Sequence, residues 1–332
     1  MNSRICGFLF ASVVLLAGCG ERQERVLVSI DGSSTVYPVT EAVAEEFMAT
    51  RRGEVQVTVG VSGTGGGFKK FCRGETAISN ASRPILDEEL RACAESGVEF
   101  IELPVAFDAL TVVVHPENTW AEELTVAHLR TMWAPESQGV VGNWNQIDPA
   151  FPDAPLKLFG AGADSGTFDY FTEAVNGKSK SSRGDFTASE DDNVLVTGVS
   201  QDVNALGFFG FAYYEENRDK LKAVKIKLDP DAPAISPSPE HVMDGTYQPL
   251  SRPIFIYVNA KAAAERQEIR DFVEFYLTEA VALIEEVKYI PLPPRAYELA
   301  REKFRAGKTG TVFEGHSEIG VSIEDLLIRE AR

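Results

Sequence analysis

Four times along this chain an apolar, strand-like run ends in a turn rich in Ser, Thr, Gly or Arg and passes directly into a helix-like run. The first is Val26 to Ile30, followed by D-G-S-S-T-V-Y-P-V-T at Asp31 to Thr40 and an apolar helix face at Val39, Ala42, Val43 and Phe47. Pro38 falls in the first turn of that helix, where its missing N–H costs nothing. The second run alternates V-Q-V-T-V-G-V over Val55 to Val61, ends in Ser62-Gly63-Thr64-Gly65-Gly66-Gly67 and enters a helix at Phe68. The third, Thr76 to Ala81, meets Ser82-Arg83-Pro84 before a helix at Asp87 to Glu95; the fourth, Leu156 to Phe159, meets Gly160 to Thr167 before Phe168 to Val175. Strands that alternate with helices pair in parallel through crossovers, which confines the chain to α/β architecture. Ligands of such sheets bind outside the carboxyl ends of the strands, and all four turns lie there.

The chemistry of the turns suits an anion. A helix start leaves backbone N–H groups without partners and gathers partial positive charge. Ser and Thr at such a place cap the helix or donate to a ligand, and a single turn would be explained by capping. Capping does not call for glycine at Gly63, Gly65, Gly66, Gly67 and Gly166. Glycine lets a backbone approach a ligand and present a concave run of N–H donors, so the four turns together describe one shared site.

The remaining stretches supply the frame. At 332 residues the chain exceeds one compact core, so two domains are expected. Phe100 to Val105 and Ala109 to His115 read as two strands with Ala106, Phe107 and Asp108 as a crossover between lobes. Pro253 to Val258 is a second crossover strand, followed by helices at Ala262 to Leu277 and Ala280 to Glu286. Helices are also expected at Leu124 to Trp133 and Asp191 to Val199, and Gly177 to Arg183 reads as a polar, mobile segment.

The formal charge is −18, and the 32 Lys and Arg form no basic stripe, which argues against nucleic acid. An anionic ligand would need a local site that works against this field. At the N-terminus Arg4, the apolar run Ile5 to Leu16 and Leu16-Ala17-Gly18-Cys19 resemble a bacterial lipoprotein signal, in which Cys19 becomes the lipidated first residue; an ordinary signal peptide cut nearby is the alternative. No later stretch is apolar for long enough to span a bilayer. Export leaves Cys72 and Cys93 as a pair in an oxidising compartment, where a disulfide is expected. His115, His128, His241 and His316 are too scattered to make a metal site with them.

Enzymatic motifs fail on their own chemistry. Asp164-Ser165-Gly166-Thr167 has the string of an aspartic protease, but two carboxylates sharing a proton need a second copy, and there is none. Gly60-Val61-Ser62-Gly63-Thr64 lacks the final glycine of a nucleophile elbow, and Gly63 to Lys70 lacks the ending of a phosphate-binding P-loop.

Five pieces in order carry a resemblance: D-G-S-S-T-V-Y-P (Asp31 to Pro38), S-G-T-G-G-G-F-K-K-F-C (Ser62 to Cys72), N-A-S-R-P-I (Asn80 to Ile85), D-S-G-T-F-D-Y-F (Asp164 to Phe171) and S-E-D-D-N-V-L-V (Ser189 to Val196). Together they resemble the phosphate-binding proteins of bacterial phosphate-specific ABC importers. The resemblance implies a type II periplasmic-binding-protein fold: two α/β lobes, two crossover strands as hinge, and phosphate held in the interlobe cleft without catalysis or cofactor. The expected division is a signal over 1–18, a discontinuous first lobe over 19–105 plus 255–332, and a second lobe over 106–254.

Carried over by position, the resemblance implies Ser34, Thr35 and the Val36 amide as donors in the first turn, and Thr64 with the Gly65 amide in the second. It implies Ser165, the Gly166 N–H and Thr167 in the fourth, with Ser33 and Ser62 as lesser candidates. In the third turn Ser82 and Arg83 stand where part of the family has Ser-Asp, and Arg83 is expected to grip two oxygens at once. Many relatives place an Arg just before the Ser-Gly-Thr, whereas this chain has Gly160-Ala161-Gly162-Ala163; Arg183 is the candidate substitute. A carboxylate would accept the proton that phosphate carries and sulfate lacks, and with Arg83 in the usual place of an Asp that role passes to Asp164 or Asp108. The implied partners are inorganic phosphate and the permease subunits of an importer, with the membrane touched through a lipid anchor only and the protein a monomer in the cell envelope. The alternatives are another tetrahedral oxyanion such as sulfate or molybdate, and a phosphate-ester hydrolase.

Overall fold

The computed structural model describes residues 26–313 apart from 164 and 190, together with Gly315, Leu326, Ile328 and Arg329. The expected signal over 1–18, the lipidation candidate Cys19 and the site candidate Asp164 lie outside the described residues.

The first half is built from β1 (Val26–Gly32), α1 (Tyr37–Thr50), β2 (Val55–Val61), α2 (Thr64–Cys72), β3 (Ile78–Ala81) and α3 (Asp87–Glu95). β4 (Phe100–Val114) leads to β5 (Glu123–Thr125), α4 (Val126–Trp133), β6 (Lys157–Ala161), α5 (Gly166–Asn176), β7 (Thr187–Ser189), α6 (Asp192–Ser200), β8 (Ala205–Gly210) and α7 (Phe211–Glu216). After the short β9 (Lys222–Ala223), β10 (Lys225–Lys227) and α8 (Pro239–Met243), β11 (Ser251–Asn259) returns to the first half. That half closes with α9 (Ala260–Glu265), α10 (Gln267–Glu286), β12 (Ile290–Pro291) and α11 (Pro294–Arg305).

The main path of the sheet runs β2-β1-β3-β11-β4-β8-β6-β7 among the described residues. β1 lies parallel to β2 and β3, and β6 parallel to β7 and β8, as strand–turn–helix repetition requires. β11 and β4 stand between these groups, antiparallel to each other and to their outer neighbours β3 and β8. The result is a two-lobed α/β fold in which two central strands belong to both lobes. Their ladder shifts register between Ile254 and Phe255, opposite the stretch Pro104 to Ala106.

Each lobe has its own aromatic centre. In the first, Phe47 of α1 meets Phe272 and Phe275 of α10 with ring centroids 5.3 and 5.4 Å apart. In the second, Trp133 packs edge-on against Phe171, Phe186 and Phe208, while Phe171 stacks on Phe208 at 3.8 Å. Burying each such ring stabilises by about 1.5–3 kcal/mol, so both lobes rest on local cores beneath the turns they carry. A Cys72–Cys93 disulfide ties the end of α2 to α3, fixing the helices that carry the second and third turns.

Three local expectations are corrected. β4 is one continuous strand of 15 residues, not two runs broken at 106–108. A charged residue in an apolar run reads as a break, but Asp108 stays inside because Arg252 of β11 stands directly opposite it in the ladder. The helices after β11 divide at Arg266, whose backbone is extended, and α10 then continues unbroken through Glu286. The segment 177–183 is anchored rather than loose at its end, since Arg183 is buried and Asn176 and Ser182 both donate to the Trp133 carbonyl. Among the described residues no helix is long and apolar enough to cross a membrane.

Candidate functional site

Three of the four turns behave differently from plain helix caps. No side chain caps α1, whose N-cap is Val36; instead the Ser33 hydroxyl accepts from the Thr35 N–H at 3.2 Å. No side chain caps α2 either: Thr64 Oγ1 and Ser82 Oγ lie 3.0 Å apart, and the Ser82 N–H donates to Thr64 Oγ1, which joins the second turn to the third. Only the fourth turn caps in the ordinary way, with Ser165 accepting from the Thr167 N–H at 3.1 Å.

The first and fourth turns meet across the lobes. The Gly166 N–H donates to Ser34 Oγ at 3.0 Å, and a Cβ on Gly166 would stand 2.4 Å from Thr35 Oγ1, so only glycine permits this approach. The same holds inside the first lobe, where a Cβ on Gly67 would come within 2.5 Å of the Gly32 Cα. These glycines are spaced for backbone contact.

Beside this junction lies a cavity of about 350 Å³, lined by Ser62 to Gly66, Ser82 and Arg83 from the first lobe, by Asp169, Tyr170, Glu173 and Lys180 from the second, and by Arg252 of β11. Lys69, Arg83, Lys180 and Arg252 line it against two carboxylates, Asp169 and Glu173. A chain of charge −18 thus gathers local positive potential where the second and third turns face the second lobe. Arg83 is preorganised there: Glu89 holds both its Nη atoms at 2.9 and 2.8 Å, and Nη1 also donates to the Pro84 carbonyl. Burial raises the Asp169 carboxyl above its ordinary value, opposed by Lys180, Arg252 and Arg83.

Residues 20–280 match the PBP superfamily domain. The SphX protein of Synechococcus elongatus is 54% identical over 307 residues, covering 92% of this chain and 90% of that protein. The phosphate-binding protein PstS of Staphylococcus saprophyticus is 37% identical over 275 residues, 82% of each chain. The chain belongs to the PstS family of the PBP superfamily. A crystal structure of a possible phosphate binding protein from Planctomyces limnophilus superposes with a TM-score of 0.74 at 47% identity, covering 86% of this chain and 99% of that one.

Within this PstS-family fold, the glycine that opens the departure before Ser165 has a packing reason. A Cβ on Gly160 would lie 2.5 Å from the Phe208 ring, so the second aromatic core fills the space beside that stretch. The fold does not bring Arg183 to the cavity. Its Nη1 donates to the Met132 and Val141 carbonyls and its Nε and Nη2 to Asp185, all within the second lobe. Asp108 does not line the cavity: its Oδ2 accepts from Arg252, and burial raises its carboxyl, against the pull of Arg252 and the Ala109 N–H.

Arg252 is the residue the sequence reading passed over. It opens the strand-like run as Ser251-Arg252-Pro253, with no motif around it. The available signal was that each crossover strand carries an ionisable residue in apolar surroundings, and antiparallel pairing sets opposite charges face to face.

Proposed function

We propose that this protein binds inorganic phosphate in the cleft between its lobes, outside the cytoplasmic membrane, and passes it to the permease of an ABC importer. The observation that carries the reading is a cavity with a surplus of cations, lined by the second and third turns of the first lobe and by α5 and Lys180 of the second, beside the junction where the first and fourth turns meet. Membership of a family whose relatives are named for phosphate binding supports the choice of anion. The donors are Ser34, Thr35, the Val36 amide, Thr64, the Gly65 amide and Ser82 from the first lobe, and Ser165, the Gly166 N–H and Thr167 from the second, with Ser33 and Ser62 in support. Arg83 supplies charge with a geometry Glu89 fixes. We take the lobes to divide at 105/106 and 254/255, a division supported by the register shift beside Phe255. The mature protein starts at Cys19, carries lipid there, acts as a monomer and performs no chemistry on its ligand.

Selectivity against sulfate requires an acceptor for the phosphate proton. Asp164 and Asp108 are candidates for that role, and the cavity adds Asp169, whose Oδ1 is buried with no hydrogen-bond partner among the described residues, 3.7 Å from Lys180 Nζ. Titration of the delipidated mature chain with phosphate, sulfate and arsenate by calorimetry tests the reading. Phosphate should bind and sulfate should not; tight sulfate binding with none for phosphate would end it. Arg83→Ala should weaken phosphate binding by about 2–5 kcal/mol, the loss expected when one member of a buried charged contact is removed. Unchanged affinity would remove Arg83 from the site.

A further inference from the structure

We propose that Arg252 is a binding residue of the anion site, and that its guanidinium grips the bound oxyanion from the hinge. The inference rests on the phosphate reading and assigns a binding residue to it.

Arg252 is only 4% exposed yet lines the cleft cavity. Its donors are incompletely used. Nε and Nη2 donate to Asp108 Oδ2 at 3.2 and 3.1 Å, and Nη2 also reaches Thr35 Oγ1 at 3.1 Å and the Gly166 carbonyl at 3.2 Å. Nη1, with two N–H groups, has no hydrogen-bond partner among the described residues. A guanidinium buried to this degree seldom leaves one end unpaired, because the desolvated donors then go uncompensated. An anion in the cavity would complete it.

The plane of the guanidinium is fixed in advance. Arg252 Cζ stands 4.2 Å from the centroid of the Tyr170 ring, and the Tyr170 hydroxyl is itself held by the Pro249 and Ser251 carbonyls at 2.6 and 2.7 Å. Stacking and the Asp108 bonds hold the fork against rotation, which is the preorganisation that bidentate recognition of an oxyanion needs.

Position makes the residue more than a replacement charge. Arg252 belongs to a strand shared by both lobes, touches Thr35 of the first and Gly166 of the second, and so meets both walls of the cleft at once. A ligand shifts an equilibrium only by what it gains in one state over another. An anion on Nη1 gains the donors of both walls only when Thr35 and Gly166 are together, so Arg252 ties occupancy to closure.

The decisive variant is the pair Asp108→Asn with Arg252→Gln, which removes both buried charges together and leaves neither unpaired. In the mature chain it should keep the wild-type melting temperature without phosphate, yet bind phosphate about 100-fold more weakly, as loss of a desolvated charged contact predicts. Arg252→Lys, which keeps the charge and loses the fork, should bind about tenfold more weakly. Wild-type phosphate affinity in the folded double variant would overturn the proposal. Should the double variant fail to fold, wild-type affinity in Arg252→Lys would overturn it as well. A wild-type protein that bound sulfate and not phosphate would defeat the parent reading instead, and the same variants titrated with sulfate would then judge Arg252.

Discussion

Arg183 and Arg252 are buried almost equally, at 6% and 4% exposure, and each is paired with an aspartate. Their remaining donors separate them. Arg183 spends all three nitrogens on the second lobe alone, stitching the end of α4, the segment around Val141 and the loop that leads into β7 into one unit. Arg252 spends two nitrogens on a hinge aspartate and on both lobes, and its third, beside a cavity, has no hydrogen-bond partner among the described residues. Burial of a charge is therefore a poor guide to its role; what remains unpaired, and which bodies the paired donors join, is the better one. Arg183 is a tie within a lobe, and Arg252 a junction between lobes.

The largest effect that sharpens this contrast comes from Arg252→Ala. It leaves Asp108 buried and alone, which should cost about 3–5 kcal/mol of stability, the usual loss when one member of a buried ion pair is removed. The deficit should depend on pH in a defined sense. Burial already raises the Asp108 carboxyl in the presence of Arg252, and without that cation it rises further. A raised carboxyl destabilises the fold where it is ionised, so the deficit is greatest above the folded value and shrinks as pH falls toward the unfolded value of about 3.9. Denaturant unfolding of variant and wild type across acidic and neutral pH would show it. A deficit that grew on acidification would mean that Asp108 is not the group left stranded.

The same contrast shows what the sequence could reveal. Strand–turn–helix repetition is written in spacing, so the parallel halves and the positions of α1, α2, α3 and α5 could be read directly, and Gly67 and Gly166 announced close backbone approach before any partner was visible. The Asp108–Arg252 pair could not be read in this way. Its members are 144 positions apart, and each seen alone looks like an interruption of an apolar strand, which is why β4 reads as two pieces and Arg252 as nothing in particular. Arg183 misled for the opposite reason: an Arg beside Ser182 in a polar stretch looks available, while the carbonyls that absorb it come from α4 and from Val141. Local pattern shows where donors start; only the ladder and the packing show which are already taken.

Arg183→Ala is the next test in size. Removing hydrogen bonds from a charged donor to buried carbonyls should lower stability by about 1.5–3 kcal/mol. Phosphate affinity should remain within a few-fold of wild type, because no donor of Arg183 reaches the cavity. Calorimetry on the folded variant measures this directly, and a loss of affinity like that expected for Arg252 would erase the distinction between tie and junction.

The smallest effect separates the two aspartates. Hydrogen bonding to Arg183 holds the Asp185 carboxyl at about 2, well below its ordinary value, and outweighs the opposing effect of burial. Asp108, shut inside the hinge, moves the other way. A lowered carboxyl contributes stability that is fully present above the unfolded value of about 3.9 and is lost as pH falls through the folded value near 2. Solvent screening limits that contribution to about 0.2–1 kcal/mol, the range of exposed ion pairs. The stability gap between wild type and Asp185→Asn should therefore hold from neutrality down to about pH 4 and close below it. It should also narrow with added salt, since Asp185 faces solvent, whereas the deficit of Arg252→Ala, set by a charge inside the hinge, should be nearly indifferent to salt. Equal salt sensitivity in the two variants would place both arginines in the same electrostatic environment, which their surroundings deny.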